Sequence, residues 1–257
     1  MHELLRLHTA ALGLETVRIL GVLVAAPLAW SAVPMRARAA LAIVLAIVAH
    51  GQGSVGPELL GSVERLAVAA PMEFLVGLAM GFVVRLAVAV AEIAADVIAP
   101  VMGLSMSTLV DPATALPETG LSRLFRLLAV LLSLVVGMHR VLIGSLLTSF
   151  RLLPPGAPAA PGAAWPALLE LSTNALAAGV RLALPVVAVL FLVHLALGFV
   201  SRAAPSMQIF SVGFAVTLVV GGFVLAMSLP DVARELMMEL SELPRRIETV
   251  FAAVAML

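Results

Sequence analysis

The chain reads as an all-α polytopic membrane protein built from about six hydrophobic helical blocks, and three observations predict this class. Hydrophobic residues make up 62% of the sequence and charged residues 12%, whereas a soluble domain carries ~45–50% apolar and ~25% charged residues. Mean hydropathy is +1.16. The apolar residues also form long continuous runs, unlike the ~10-residue alternating segments of a transmembrane barrel. Formal net charge is zero, so no basic surface suggests a nucleic-acid partner. All fifteen basic residues are Arg, and Cys is absent. The missing thiols exclude disulfides, iron–sulfur ligation and a cysteine nucleophile.

The blocks cover residues 16–31, 39–50, 66–98, 124–147, 175–200 and 207–229. The first is expected to be a retained helix rather than a cleaved signal. Glu15 and Arg18 interrupt its approach, and Pro27 or Trp30 would stand where a cleavage site wants a small residue. A span needs ~20 residues to cross hydrocarbon ~30 Å thick, and blocks four, five and six satisfy that. Block two gives only ~18 Å and block three ~50 Å at 1.5 Å per residue. Such mismatches point to helices packed in a protein assembly rather than each standing alone in lipid. Alternating sides would hold six Arg (6, 65, 151, 234, 245, 246) and five (36, 38, 123, 126, 202), with no orienting asymmetry, which is either noise or a sign that six simple spans is the wrong picture. Pro185 lies inside block five. Beyond Pro230 the chain mixes charge with Leu and Met at helical spacing. The expected division is therefore a membrane-embedded region, 1–229, and a C-terminal amphipathic segment, 230–257.

Block three and the loop after it carry the most information. Glu73, Gly77, Gly81 and Arg85 follow one another at intervals of four and form a ridge on one helix side. Gly77 and Gly81 make a small surface that lets another helix approach closely. Pro71 suits a first helical turn, which would place Glu73 at the positive end of the helix dipole. Arg85 and Glu92 share a face, and Glu92 and Asp96 lie four apart. Ionisable groups in a membrane block are functional candidates by default. The Glu92–Asp96 pair fits a proton relay, or else a helix emerging into water or pairing with an arginine on a neighbour. The loop 102–111 holds Met102, Gly103, Leu104, Ser105, Met106, Ser107, Leu109 and Asp111. Its Met and Leu side chains are adaptable and its Gly and Ser are small, a chemistry suited to a reversible seal or to a plain connector.

No metal-ligand spacing, phosphate-binding Gly loop or nucleophilic triad is present, so neither an enzyme nor a cofactor is expected.

Several pieces, in order, resemble the FliR/SctT family of flagellar and injectisome type III export-gate proteins. They are Arg18, Pro27 and the turn Val33-Pro34-Met35-Arg36. They continue with Glu73-Phe74-Leu75-Val76-Gly77 with Gly81 and Arg85, then Gly103-Leu104-Ser105 through Val110-Asp111-Pro112. Gly137, His139, Ser149-Phe150 and Pro154 follow. Last comes the C-terminal signature around Pro205, Met207, Gln208 and Phe210, with Gly213. The resemblance implies one copy of this chain in a helical inner-membrane gate. FliP-like and FliQ-like small subunits would surround it, a FlhB-like subunit would dock on its cytoplasmic side, and lipid would contact the rest. Unfolded exported proteins would pass through, and residues 103–111 would be the pore plug. Two other classes stay open: a small-solute secondary transporter, which would show paired repeat halves, and a purely structural membrane scaffold.

Overall fold

The computed structural model describes residues 2–27, 34–50, 63–104, 119–158, 160–203 and 209–255. Helices account for almost all of them, and no strand occurs among the described residues. In chain order they are α1 (His2–Ala25), α2 (Met35–Ala49), α3 (Val63–Val101), α4 (Gly120–Val136) and α5 (Met138–Leu152). A short 3₁₀ turn (Pro161–Ala164) follows, then α6 (Trp165–Ala203), α7 (Ile209–Ser241) and α8 (Leu243–Ala255).

Among the described residues four stretches are long and apolar enough to cross a membrane: His8–Ala25, Glu64–Val101, Pro161–Ala203 and Val212–Val254. The broken pair α4–α5 gives a fifth if it counts as one span. The chain is thus an all-α, multi-pass membrane protein. At 15 residues α2 is too short for a simple span. By contrast α3 runs unbroken for 39 residues, about 58 Å at 1.5 Å per residue.

Local chemistry explains most boundaries. Thr119 opens α4: its Oγ1 accepts from the Ser122 amide at 3.1 Å, which satisfies one orphan donor of the first turn. Block four breaks where Gly137 takes φ +81°, a left-handed conformation that costs glycine nothing and ends α4. Pro230 lies inside α7, which continues past it to Ser241. The expected boundary at residue 230 therefore falls within a helix.

The chain divides into two compact units. The first comprises Met1–Ala87, Ser133–Thr173 and Glu239–Leu257. In it α1 packs along α2, and α8 packs on α5 and on the 3₁₀ turn. Ile19, Met80, Met138, Leu142, Phe150 and Leu243 are fully buried there. The second comprises Val88–Leu132 and Asn174–Met238, and its core includes Ile98, Phe125 and Leu190.

Candidate functional site

In the first unit the residues of the glycine ridge meet α1. A Cβ on Gly77 would lie 1.9 Å from the Arg18 carbonyl oxygen. One on Gly21 of α1 would lie 2.5 Å from the Phe74 carbonyl, and one on Gly81 2.7 Å from the Ala25 side chain. Only glycines permit this approach, so the two backbones touch across the Gly21–Gly77–Gly81 seam.

That seam brings Arg18 beside Glu73. The guanidinium is 0% exposed and the carboxylate 4%. Arg18 Nε donates to Glu73 Oε2 at 2.5 Å. Its Nη1 donates to the Ser149 carbonyl and hydroxyl, both at 3.2 Å, and its Nη2 to the Leu153 carbonyl at 3.0 Å. The same guanidinium lies 4.7 Å over the Phe150 ring. The other Glu73 oxygen accepts from the Gly156 amide at 2.9 Å. One buried ion pair therefore ties α1, α3, the end of α5 and the turn after it. A buried charge is tolerable only when partnered in this way.

The sequence-based placement of Glu73 at a helix start does not hold. The helix begins at Val63, with Pro71 inside it, so Glu73 sits well beyond the first turn, where the dipole field has faded. Its countercharge is Arg18. Sequence pattern assigns no such role to Ser149, Leu153 or Gly156; Arg18 enters it as an interruption of a signal-like stretch and, like Ser149, through the family resemblance.

A second polar group joins the middle of α1 to His50, the residue that caps α2. Glu15 is 1% exposed, and its Oε2 lies 3.2 Å from His50 Nδ1. His50 Nε2 lies 3.0 Å from His8 Nδ1. His139 Nδ1, in α5, is a buried nitrogen with no partner among the described residues.

The remaining charges of the third block fall on its surface. Arg85 is exposed. In the second unit Glu92 pairs with Arg126 of α4 at 3.7 Å, both about one-third exposed or less. Asp96 accepts a hydrogen bond from Ser122 Oγ. Here the arginine of a neighbouring helix faces the carboxylate.

Of the loop after α3, Met102, Gly103 and Leu104 form a turn at the helix end. Gly103 has φ +76°, and a Cβ there would meet the Phe214 ring at 3.2 Å. Met102 also lies against Gly221. This turn borders an open groove of about 900 Å³, lined by Met102, Gly103, Phe191, His194, Phe214 and Thr217 among others. Ser105, Met106, Ser107, Leu109 and Asp111 lie outside the described residues. Pro205, Met207 and Gln208 do too; Phe210 is in the first turn of α7, and Gly213 lines the same groove.

The chain is 38% identical over 164 residues to the flagellar biosynthetic protein FliR of Escherichia coli (strain K12). It is 35% identical over 158 residues to the protein of the same name in Pectobacterium carotovorum subsp. carotovorum. These matches take in 64% and 62% of this chain and 63% and 60% of the relatives, so the chain spans under two-thirds of their lengths. Against the FliR of Caulobacter vibrioides (strain ATCC 19089 / CIP 103742 / CB 15) identity is 27% over 204 residues, 79% of this chain and 81% of the relative. The family model described as "Bacterial export proteins, family 1" matches residues 9–243, a stretch that holds Arg18, Glu73, the glycine seam and the Gly103 turn. The chain belongs to the family of bacterial export proteins, family 1.

Proposed function

We propose that this chain is a membrane subunit of the flagellar protein export apparatus, and that it forms part of the gate through which unfolded proteins leave across the inner membrane. The match to the bacterial export family across residues 9–243 carries this reading. Relatives named flagellar biosynthetic protein favour the flagellar system over the injectisome. Partners on this reading are FliP-like and FliQ-like small membrane subunits and a FlhB-like subunit. The chain is a conduit component and not an enzyme.

The geometry supports this reading in two ways. The first unit is clamped about the Arg18–Glu73 pair, as suits a fixed part of a wall. The spans Pro161–Ala203 and Val212–Val254 are only 17% buried within the chain, against 61% for Glu64–Val101. Their bare apolar faces suit neighbouring subunits as well as lipid. Residues 103–111 are the proposed plug, and a small Gly-containing turn at the end of α3 gives such a segment a pivot.

Two experiments test this. Tagged protein, co-expressed with the neighbouring small membrane subunits, is purified and its intact complex weighed; a hetero-oligomer holding a single copy of this chain is expected. A stable monomer or homodimer without small partners would overturn the reading and favour a small-solute transporter. Deletion of residues 104–110 is expected to make the complex leak ions while still assembling, whereas an unchanged ion barrier would remove the plug role.

A further inference from the structure

Three side chains, two on α1 and one at the end of α2, form a chain of hydrogen bonds from the surface to a buried carboxylate. His8 is exposed, His50 is 23% exposed and Glu15 is 1% exposed. His8 Nδ1 and His50 Nε2 are 3.0 Å apart, with their rings edge to face at 73°. His50 Nδ1 is 3.2 Å from Glu15 Oε2. The charged groups around Glu15 are His50 from α2, Arg18 from its own helix and Glu73 from α3. Arg18 and Glu73 already neutralise each other, which among the described residues leaves His50 to answer the Glu15 charge.

While Glu15 stays ionised, hydrogen-bond chemistry limits how many protons the two histidines can hold. An ionised carboxylate only accepts, so His50 Nδ1 carries the hydrogen that faces Glu15. When His50 is neutral its Nε2 accepts, and His8 Nδ1–H donates. When His50 gains a proton its Nε2–H donates, and a neutral His8 accepts at Nδ1. The direction of one hydrogen bond reverses, but none is lost. A second proton, on His8, puts two N–H groups and two positive charges face to face at 3.0 Å, which breaks the link.

We propose that His8, His50 and Glu15 form a one-proton relay that clasps the end of α2 to α1 and opens when a second proton arrives. The apolar stretch of α1 that is long enough to cross a membrane begins at His8, and the His8 ring is exposed. Histidine is the side chain whose charge changes between about pH 5 and 8. The clasp is therefore closed with neither or one histidine charged, and open with both charged at lower pH.

The absence of cysteine from the sequence makes site-directed spin labelling clean. Labels enter at Gly13→Cys on α1, where a Cβ meets nothing within 4 Å, and at Val48→Cys on α2, which is 63% exposed. Distances between them are measured in the full chain by double electron–electron resonance, in steps from about pH 8 to about pH 5, the range over which histidine changes charge. The expected result is one narrow distribution at the upper end and loss of that population at the lower end. In His8→Gln, which cannot take the second charge, the narrow distribution should persist throughout. A distribution that ignores pH in the parent protein overturns the proposal, and so does equal broadening in parent and His8→Gln. This outcome is independent of whether the chain acts in an export gate.

Discussion

Arg18 and Arg126 illustrate how burial sets the value of a charge. Arg18 is 0% exposed, and its three nitrogens donate to four acceptors. Removing one partner of a buried pair costs ~3–5 kcal/mol, because the other charge stays behind uncompensated. Arg18→Ala and Glu73→Ala should each lower stability by about that amount, read by unfolding in detergent micelles, and the double variant should lose less than the sum. Arg126 and Glu92, 33% and 27% exposed, sit where water or headgroups screen them. Arg126→Ala should change stability by under ~1 kcal/mol. Sequence alone makes Glu73 a candidate through its apolar surroundings. It does not show which cation answers it, because that cation lies 55 positions away and the other acceptors of Arg18 lie 131 and 135 from it. Local pattern carries no such long-range information, so it offers only the nearer explanation, a helix dipole.

At the scale of helices, glycine decides both contact and continuity. Gly77 touches the α1 backbone, whereas a Cβ on Gly144 of α5 would meet nothing within 4 Å. Gly77→Ala should cost ~1–3 kcal/mol or more by forcing α1 and α3 apart. Gly144→Ala should stabilise by ~0.5–1 kcal/mol through lower chain entropy. Opposite signs from one chemical change, measured by the same unfolding assay, would confirm the seam. Equal signs would sink it. Gly137, at φ +81°, is the joint between α4 and α5, and Gly137→Ala should cost ~1–2 kcal/mol for the left-handed backbone. The spacing of Gly77 and Gly81 is visible in the sequence as a small surface, while its partner α1 is not. The joint at Gly137 is invisible too, since hydrophobic pattern runs through it and a positive φ leaves no mark on composition.

For the molecule as a whole, the membrane class is plain from composition, because burying so much apolar surface in a 257-residue soluble domain is not an option. Which faces remain bare is not plain, because most of α6 and the first two-thirds of α7 are apolar on every side that the sequence pattern distinguishes, with few charges to mark a face. Phe191 and Phe199 on α6 and Val219 and Phe223 on α7 are 60–71% exposed. If these faces meet other subunits, Phe223→Asp should leave the isolated chain folded in detergent yet abolish co-purification of the small subunits. Retained co-purification would assign that face to lipid instead. Residues 105–111 and most of the C-terminal signature fall outside the described residues, so their shared role rests on the family and on the proposed assays.

The satisfied guanidinium of Arg18 has a consequence for how the protein is made. Its acceptors come from α3, α5 and the turn beyond, so none exists when α1 leaves the ribosome. Alone near the middle of an apolar helix, an arginine costs ~2.5–3.5 kcal/mol to insert into a bilayer, and Glu15 adds to that. The nascent α1 is therefore a poor free-standing span. The countercharge of Arg18, Glu73, arrives with α3, and the full set of acceptors is complete only once Ser149 and Leu153 have been synthesised.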